Sequence, residues 1–169
     1  MIQILNATTE ADLNHVRNLM RSFVNWQRER NKEDIDLVNE YFNPIVIEEE
    51  LALLPGKYAM PDGRLLLAWV EDQPAGCVGL RKIDAQTCEM KRMFVYPEFQ
   101  GKGVAFAMGQ KLIEHARTIG YETMLLDTSF RQTEAQNLYQ KIGFRKTSPY
   151  YDLPKKVEDW LVFMEMKLK

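Results

Sequence analysis

Apolar residues in the first third of the chain recur at the spacing of an amphipathic helix. A helix-start box, with Thr9 as the cap and Asp12 three residues later, precedes this run. The positions that share the helical spacing are Leu13, Val16, Met20, Phe23, Val24 and Gln27, of which only the last is polar. A second helix is predicted from about Pro44 to Leu54, and the polar residues 30–40 between the two are predicted to form a loop.

Three short apolar runs follow, and each has the length of a β-strand. They cover Arg64 to Val70, Ala75 to Ile83 and Cys88 to Val95. The residues between them, Glu71–Pro74 and Asp84–Thr87, have the composition of tight turns. Because short turns join successive strands of opposite direction, this part of the chain predicts an antiparallel meander.

Helical spacing returns in the second half of the chain. The residues from Ala105 to Ile119 carry apolar side chains on one helical face, and Gly120 ends that helix. Thr123 to Asp127 is a short apolar run that predicts a strand. The strand, helix and strand from Cys88 to Asp127 therefore predict a right-handed crossover between two parallel neighbouring strands.

The C-terminal part of the chain adds one more helix and the last strands. Thr133 to Ile142 is predicted to be helical and to end at Gly143. Tyr150–Tyr151 and Trp160 to Leu168 are predicted to complete the sheet, the latter with alternating apolar positions. Antiparallel strands that precede a parallel unit predict a mixed α/β sheet.

Composition and charge narrow the class of protein. Of the 169 residues, 46% are apolar and 27% charged, so residues 1–169 are predicted to form a single globular domain. The net charge of −2 offers no basic field for nucleic acid, and no apolar run is long enough to cross a membrane. Cys77 and Cys88 lack the spacing of metal ligands. We therefore expect reduced thiols, no metal site and, with no signal peptide evident, a cytoplasmic protein.

The segment from Val95 to Ala105 joins a strand to a helix and carries the candidate chemistry. Gly101 and Gly103 remove side chains where a ligand can approach the backbone. The following helix start offers unpaired N–H groups, which suit a pyrophosphate. A glycine pair before a helix also occurs in plain tight turns. The Walker A pattern is absent, and Phe106 occupies the third small position of a dinucleotide fingerprint.

Two sequence blocks resemble the GNAT acetyltransferase superfamily. Gln100, Gly103 and Ala105 match its Q/R-x-x-G-x-G/A signature in order. The segment from Ala135 to Phe144 resembles the family's A-x-x-L-Y-x-x-x-G-F block, one helix and one strand further along. The resemblance covers roughly residues 64–146. It implies a mostly antiparallel seven-stranded sheet flanked by about four helices, with a splayed parallel strand pair at the cofactor site.

The resemblance also implies acetyl-CoA as the acyl donor and assigns the residues that bind it. Backbone amides of the loop would hold the pyrophosphate, and the assigned residues are Gln100, Gly101, Lys102, Gly103, Val104 and Ala105. The pantetheine arm would lie along Met93, Phe94 and Val95, where a β-bulge separates the strand from its parallel neighbour. Many members have Asn seven residues before the family tyrosine, but this chain has Gln132 there, and Asn137 is the candidate replacement.

Acetyl transfer to an amine requires an acid and a base, and the resemblance supplies a candidate for each. Tyr139 matches the family tyrosine whose hydroxyl reaches the CoA sulfur; the alternative is a core tyrosine bonded elsewhere. Glu89 is the candidate base, with a water chain as the alternative base. Glu89 would otherwise form an exposed ion pair with Lys91 or Arg92, which strand alternation places on opposite faces.

The residues that would contact the acceptor are harder to assign from the sequence. Five aromatic residues lie in segments that flank the acceptor side of this fold, although core packing is the simpler interpretation: Trp26, Tyr41, Phe42, Tyr150 and Tyr151. The resemblance predicts an N-acetyltransferase that moves acetyl to a primary amine of a small molecule or amino acid, rather than a protein, in a ternary complex. The alternatives are a non-catalytic acyl-CoA-binding domain and, more distantly, a nucleotide-phosphate binder. A homodimer is possible.

Overall fold

The computed structural model describes residues 1–169 and contains six α-helices and seven strands. The helices are α1 (Glu10–Arg30), α2 (Ile35–Tyr41), α3 (Pro44–Ala52), α4 (Val104–Ile119), α5 (Thr133–Ile142) and α6 (Lys155–Trp160). The strands are β1 (Ile2–Asn6), β2 (Arg64–Val70), β3 (Gln73–Lys82), β4 (Thr87–Val95), β5 (Thr123–Ser129), β6 (Arg145–Thr147) and β7 (Leu161–Lys167). Short 3-10 helices cover Lys32–Asp34, Gly56–Tyr58 and Pro97–Phe99.

All seven strands join one mixed sheet in the order β1-β2-β3-β4-β5-β7-β6. Only β4 and β5 are parallel, and every other pair is antiparallel. The predicted meander, crossover and mixed sheet are confirmed. Helix α1 begins at the predicted capping box, in which Thr9 and Asp12 each accept a backbone N–H of the other.

The structure corrects three details of the predicted element order. Residues 30–40 are not a loop, because α2 and a 3-10 turn occupy most of them. Helices α2 and α6 bring the total to six rather than about four. Tyr150 and Tyr151 belong to no strand, and the edge strand is β6 instead. Elements of three to seven residues carry too little periodicity to be recognised in the sequence, and the same reason hid β1.

The sheet separates two apolar clusters. One cluster packs α4 and α5 against one face, with Met108, Leu112 and Ile142 among its buried residues. The other packs α1, α2, α3 and α6 against the opposite face and includes Val16 and Trp160. Both cysteines are buried and free. No helix combines the length and the apolar composition that a membrane span requires.

Candidate active site

The centre of the sheet opens between β4 and β5. The two strands pair only through Thr87–Glu89 and Thr123–Leu125. Beyond these residues β4 continues to pair with β3, and β5 with β7, but their facing edges have no partner. A cavity of about 380 Å³ lies along this gap, a volume within the range of small-molecule sites. The predicted splayed parallel pair is therefore confirmed.

A β-bulge in β4 causes the strand to diverge from β5. Cys77 pairs with Phe94 and Gly79 with Lys91, so Val78 alone lies opposite two residues of β4. Arg92, one of the two, has a φ of +61°, which is uncommon for a residue with a side chain. An extra residue of this kind bends a strand and interrupts its pairing, as the resemblance predicted.

A buried ion pair holds the side chain of the bulged residue. The Arg92 guanidinium donates Nε to Glu50 Oε2 at 3.1 Å and Nη2 to Glu50 Oε1 at 3.2 Å. Lys57 Nζ lies 2.8 Å from the same carboxylate, and the Tyr58 hydroxyl donates to it. Burial works to raise the pKa of Glu50, but Arg92 and Lys57 outweigh it and lower that pKa to about 2. Helix α3 is thereby tied to the bulge.

The glycine loop presents free backbone donors at one end of the cavity. The N–H groups of residues 101–106 donate to no backbone carbonyl. Gly101 and Gly103 have φ values of +76° and +84°, and no atom lies within 4 Å of where a Cβ would stand on either. The Gln100 side chain donates to the Val95 carbonyl at 3.0 Å and fixes the loop to the end of β4. This geometry can accept an anion at the start of α4.

The predicted cofactor residues differ in where they lie. Those that line the cavity are Met93, Phe94, Val95, Gln100, Gly101 and Ala105. Lys102 and Gly103 are exposed just outside it, and Val104 is buried in the core. Asn137 is exposed and does not line the cavity, whereas Gln132 is buried and does. Asn137 as a cofactor contact stays a prediction, and the structure places the other amide on the cavity wall instead.

Tyr139 lies in the cavity wall with its hydroxyl unengaged. The side chain is 8% exposed, and its ring packs edge-on against Phe144 at 6.0 Å. No protein group hydrogen-bonds to its Oη, so the alternative of a core tyrosine bonded elsewhere does not describe it. Burial, with a smaller effect of the negative charge of Asp127, raises the pKa of Tyr139. The phenol therefore keeps its proton at neutral pH and can donate it into the cavity.

Glu89 also lines the cavity, and three side chains surround its carboxylate. Arg81 Nε donates to Oε1 at 2.6 Å, and the Tyr150 hydroxyl donates to Oε2. Lys91 Nζ lies 3.8 Å from Oε1. Burial works to raise the pKa of Glu89, but Lys91, the Tyr150 hydrogen bond and Arg81 together lower it. The alternative was an exposed ion pair with Lys91 or Arg92. The pair with Lys91 is present, but the carboxylate is buried, and the cation that hydrogen-bonds to it is Arg81.

Lys91 and Arg92 lie on the same face, which corrects the expectation of opposite faces: Lys91 Nζ is 3.8 Å from Glu89, which bonds Tyr150, and the Arg92 guanidinium lies over the Phe42 ring. Alternation fails at this point because the bulge inserts an extra residue between Lys91 and Met93. Burial lowers the pKa of Lys91 to about 8, and the charge of Arg92 adds to this effect. The bulge thus places two cations on the side of the sheet that faces α1 and α2.

Asp127, near the end of β5, is a cavity residue that the sequence did not reveal. The hydroxyls of Tyr41 and Tyr151 donate to its two carboxylate oxygens. Trp26, Tyr41 and Phe42 line the same cavity, so these candidate acceptor-side aromatics do face it. Tyr150 and Tyr151 are not among the lining residues, but they donate hydrogen bonds to Glu89 and Asp127, which are. The available signal was a lone carboxylate at the end of an apolar strand, beside the gap that the resemblance implied.

The site combines a mixed sheet that splays beside a helix start with free amides and the phenol of Tyr139 in the wall of the gap, an arrangement that fits the resemblance to acetyltransferases. The sequence profile of the Acetyltransferase (GNAT) family matches residues 19–144. A Dictyostelium discoideum protein described as an uncharacterised N-acetyltransferase is 27% identical over the full length of both chains. An uncharacterised N-acetyltransferase of Bacillus subtilis is 32% identical over 81% of this chain and 93% of its own.

Solved structures of acetyltransferases share this fold. An acetyltransferase from Streptococcus agalactiae superposes with a TM-score of 0.75 at 16% identity, over 98% of each chain. A GNAT family acetyltransferase from Elizabethkingia anophelis with acetyl-CoA bound has a TM-score of 0.56 at 25% identity, over 72% of this chain and 81% of that one. This chain belongs to the GNAT acetyltransferase family and is an acetyltransferase enzyme.

Proposed function

We propose that this enzyme transfers an acetyl group from acetyl-CoA directly to a primary amine of a small molecule or amino acid, within a ternary complex. One observation carries the proposal. The cavity reaches the start of α4 at Gly101 and Ala105, follows the edge of β4 that lacks a strand partner, and has Tyr139, whose hydroxyl bonds no protein group, in its wall. The acetyl donor and the amine acceptor can therefore bind in the same cavity at the same time.

The residues of the loop and of β4 fit CoA. Free N–H groups at the start of α4 suit its pyrophosphate, and the open side of Gly101 and Gly103 leaves room for it. The edge of β4 that faces β5 has no strand partner around Met93 and Val95, and it can bond an amide-containing arm as a sheet bonds an added strand, apart from the Val95 carbonyl, which Gln100 already occupies. When bound, acetyl-CoA supplies an activated thioester. The acetyl-CoA in the Elizabethkingia anophelis relative supports this assignment.

Tyr139 is proposed as the general acid. Its hydroxyl has no competing acceptor in the protein, and burial keeps it protonated. Because its pKa is raised, full transfer of the proton is less favourable than a hydrogen bond from Oη. Its main contribution is therefore a donated hydrogen bond to the departing group, with the proton following.

Glu89 is proposed as the base, acting through water. Its lowered pKa keeps it ionised at neutral pH, which leaves it free to accept a proton but makes it a weaker base than an ordinary carboxylate. Both of its oxygens already accept hydrogen bonds from Arg81 and Tyr150, which leaves limited room for a direct contact. A water on the remaining lone pairs can take the proton from the amine and pass it to the carboxylate.

A non-catalytic CoA-binding domain is not favoured. Such a domain requires only the loop and β4 to bind CoA. It requires neither a tyrosine hydroxyl without a protein partner in the cavity wall nor further walls beyond those two elements. Residues of α1, α2 and β5, among them Trp26, Tyr41 and Asp127, also form walls of the cavity. The aromatic and polar groups of these walls suit a second substrate.

The test measures binding and chemistry separately. Isothermal titration should show that acetyl-CoA binds, and a panel of primary amines should release free thiol from it. Tyr139→Phe should lower kcat by about 100-fold or more while leaving acetyl-CoA affinity unchanged. Phe144→Leu, which alters the ring beside Tyr139 without removing a hydroxyl, is the control. Absence of acetyl-CoA binding, or binding with no turnover of any amine, would refute the proposed function.

A further inference from the structure

Two charged side chains stand across the open gap from each other. Glu89 of β4 is paired in register with Leu125 of β5. Continuing that register by two residues on each strand brings Lys91 opposite Asp127, and both line the cavity. Each points to the side of the sheet that carries α1 and α2. No ion pair joins them, because the strands have separated at this level.

Lys91 lacks a hydrogen-bonded anionic partner. Its nearest carboxylate is Glu89, whose Oε1 lies 3.8 Å away, beyond hydrogen-bond distance. That carboxylate already accepts from Arg81 and from Tyr150. One negative charge is thus shared between two cations. The Lys91 side chain is only 15% exposed, so water replaces the missing partner poorly, and an anion that entered the cavity would be bound there.

Asp127 has the opposite character. The hydroxyls of Tyr41 and Tyr151 fix the orientation of its carboxylate, but neither of them neutralises its charge. No lysine or arginine forms an ion pair with it. A carboxylate has about four acceptor positions, and the two phenols leave part of that capacity free. A cationic donor in the cavity would complete the site.

We propose that Lys91 and Asp127 select an acceptor that carries a carboxylate next to its primary amine, that is, an amino acid. Lys91 Nζ pairs with the carboxylate of the acceptor, and Asp127 holds its ammonium group. The aromatic side chains of Trp26 and Phe42 form the wall that receives an apolar side chain. This assignment rests on the proposed function and specifies its acceptor.

Other amines leave one of the two charges without a partner. A simple alkylamine would satisfy Asp127 but not Lys91. The N-terminus of a protein has an amide in place of the carboxylate, so it too would leave Lys91 without a hydrogen-bonded anion, with only the shared Glu89 carboxylate 3.8 Å away. Arg92 cannot replace Lys91 in this role, because its guanidinium is committed to Glu50 by two hydrogen bonds. Only an acceptor with both charges satisfies both side chains.

The experiment compares acceptors that differ in one group. Leucine, leucinamide and 3-methylbutylamine share a side chain and an amine, and phenylalanine, phenylalaninamide and 2-phenylethylamine form a second series. A charge-assisted contact predicts that kcat/KM for each amino acid exceeds that for its amide by about 10- to 100-fold. The amide is the stricter comparison, because its less basic amine is more often uncharged at neutral pH.

Two variants then test the two charges. Lys91→Met should reduce the ratio of kcat/KM between acid and amide towards one, mainly through KM. Lys82→Met, which removes an exposed lysine of β3, is the matched control and should leave the ratio as it is. Asp127→Asn should raise KM for the acid and the amide alike. Retained acetyl-CoA binding by titration shows that each variant is folded.

The outcomes separate this proposal from the one on which it rests. If acetyl-CoA does not bind at all, the proposed function fails, and the acceptor assignment fails with it. If acetyl-CoA binds and amines are acetylated without any advantage for the acids, only the acceptor assignment is overturned. An acid-to-amide ratio that survives Lys91→Met also overturns it. If Lys91→Met does not fold, the two acceptor series on the unaltered enzyme still decide the question.

Discussion

The ion pair between Glu50 and Arg92 should stabilise the whole fold, and Glu50→Gln tests this. The substitution keeps the size of the side chain but removes the charge that Arg92 and Lys57 share. The pKa of Glu50 falls from an ordinary value of 4.5 to about 2 in the folded protein. A difference of this size corresponds to about 3 kcal/mol of stability at neutral pH. The side chain is only 12% exposed, so solvent screening reduces this value little.

The pH dependence of the effect has a definite sign. The folded pKa of Glu50 lies below the unfolded one, so its contribution is fully present above about pH 4.5 and is lost as pH falls towards 2. Urea denaturation at pH 7 should show that Glu50→Gln lowers the free energy of unfolding by about 3 kcal/mol. When the same urea denaturation is repeated below pH 4.5, the difference in the free energy of unfolding between Glu50→Gln and the parent protein should become smaller.

The matched control lies on the same helix. Glu48 also accepts two hydrogen bonds from an arginine, Arg21, but both side chains are about half exposed. Glu48→Gln should therefore change the free energy of unfolding far less than Glu50→Gln. A loss below 1 kcal/mol for Glu50→Gln, or a loss equal to that of the control, would show that the buried pair does not stabilise the bulge as described.

Three substitutions test the local geometry, with the free energy of unfolding in urea as the common measurement. Thr9→Ala should lower the free energy of unfolding by about 1 kcal/mol, because it removes the side-chain acceptor of the α1 capping box. An unchanged midpoint of urea denaturation would contradict this. Gly79→Ala should lose about 1–3 kcal/mol, because its Cβ would stand 2.6 Å from the Tyr58 ring; a neutral effect would mean that the ring moves freely. Gly103→Ala should lower the free energy of unfolding by about 1 kcal/mol, because alanine is strained at a φ of +84°; no steric clash adds to this, since the space for its Cβ is open. A decrease as large as that for Gly79→Ala would contradict this account.

The parts of the fold that could be predicted are those with long patterns. Helices α1 and α4 each repeat their apolar face over several turns, and strands β2, β3 and β4 are separated by unmistakable turns. The loop at Gly101 and Gly103 could be assigned because its glycines and the following helix start have a direct physical meaning. A helix of six or seven residues, such as α2 or α6, has at most two turns over which to show a period.

Site residues could be predicted only where the neighbouring residues in the sequence form a recognisable motif. Tyr139 could be proposed because it sits in a recognisable block; the structure places it in the cavity wall, and its role as the acid stays a prediction. The partners of Glu89 could not be found in this way, because Arg81 comes from the neighbouring strand and Tyr150 from a distant loop. Asp127 could not be recognised as a site residue for the same reason, because its environment is formed by Tyr41 and Tyr151, which are far from it in the sequence.

The bulge at Arg92 connects these separate features. By adding one residue to β4, it separates β4 from β5 and leaves backbone groups free to bind a ligand. The same extra residue turns Lys91 and Arg92 to one side, so that two cations face the gap where the backbone has lost its pairing. Arg92 makes two hydrogen bonds to Glu50 of α3, whereas Lys91 has only the Glu89 carboxylate at 3.8 Å, which also accepts from Arg81. The cation without a hydrogen-bonded partner therefore lies where the strands diverge, opposite Asp127, and this is why the selection of the acceptor should depend on Lys91 rather than on its larger neighbour.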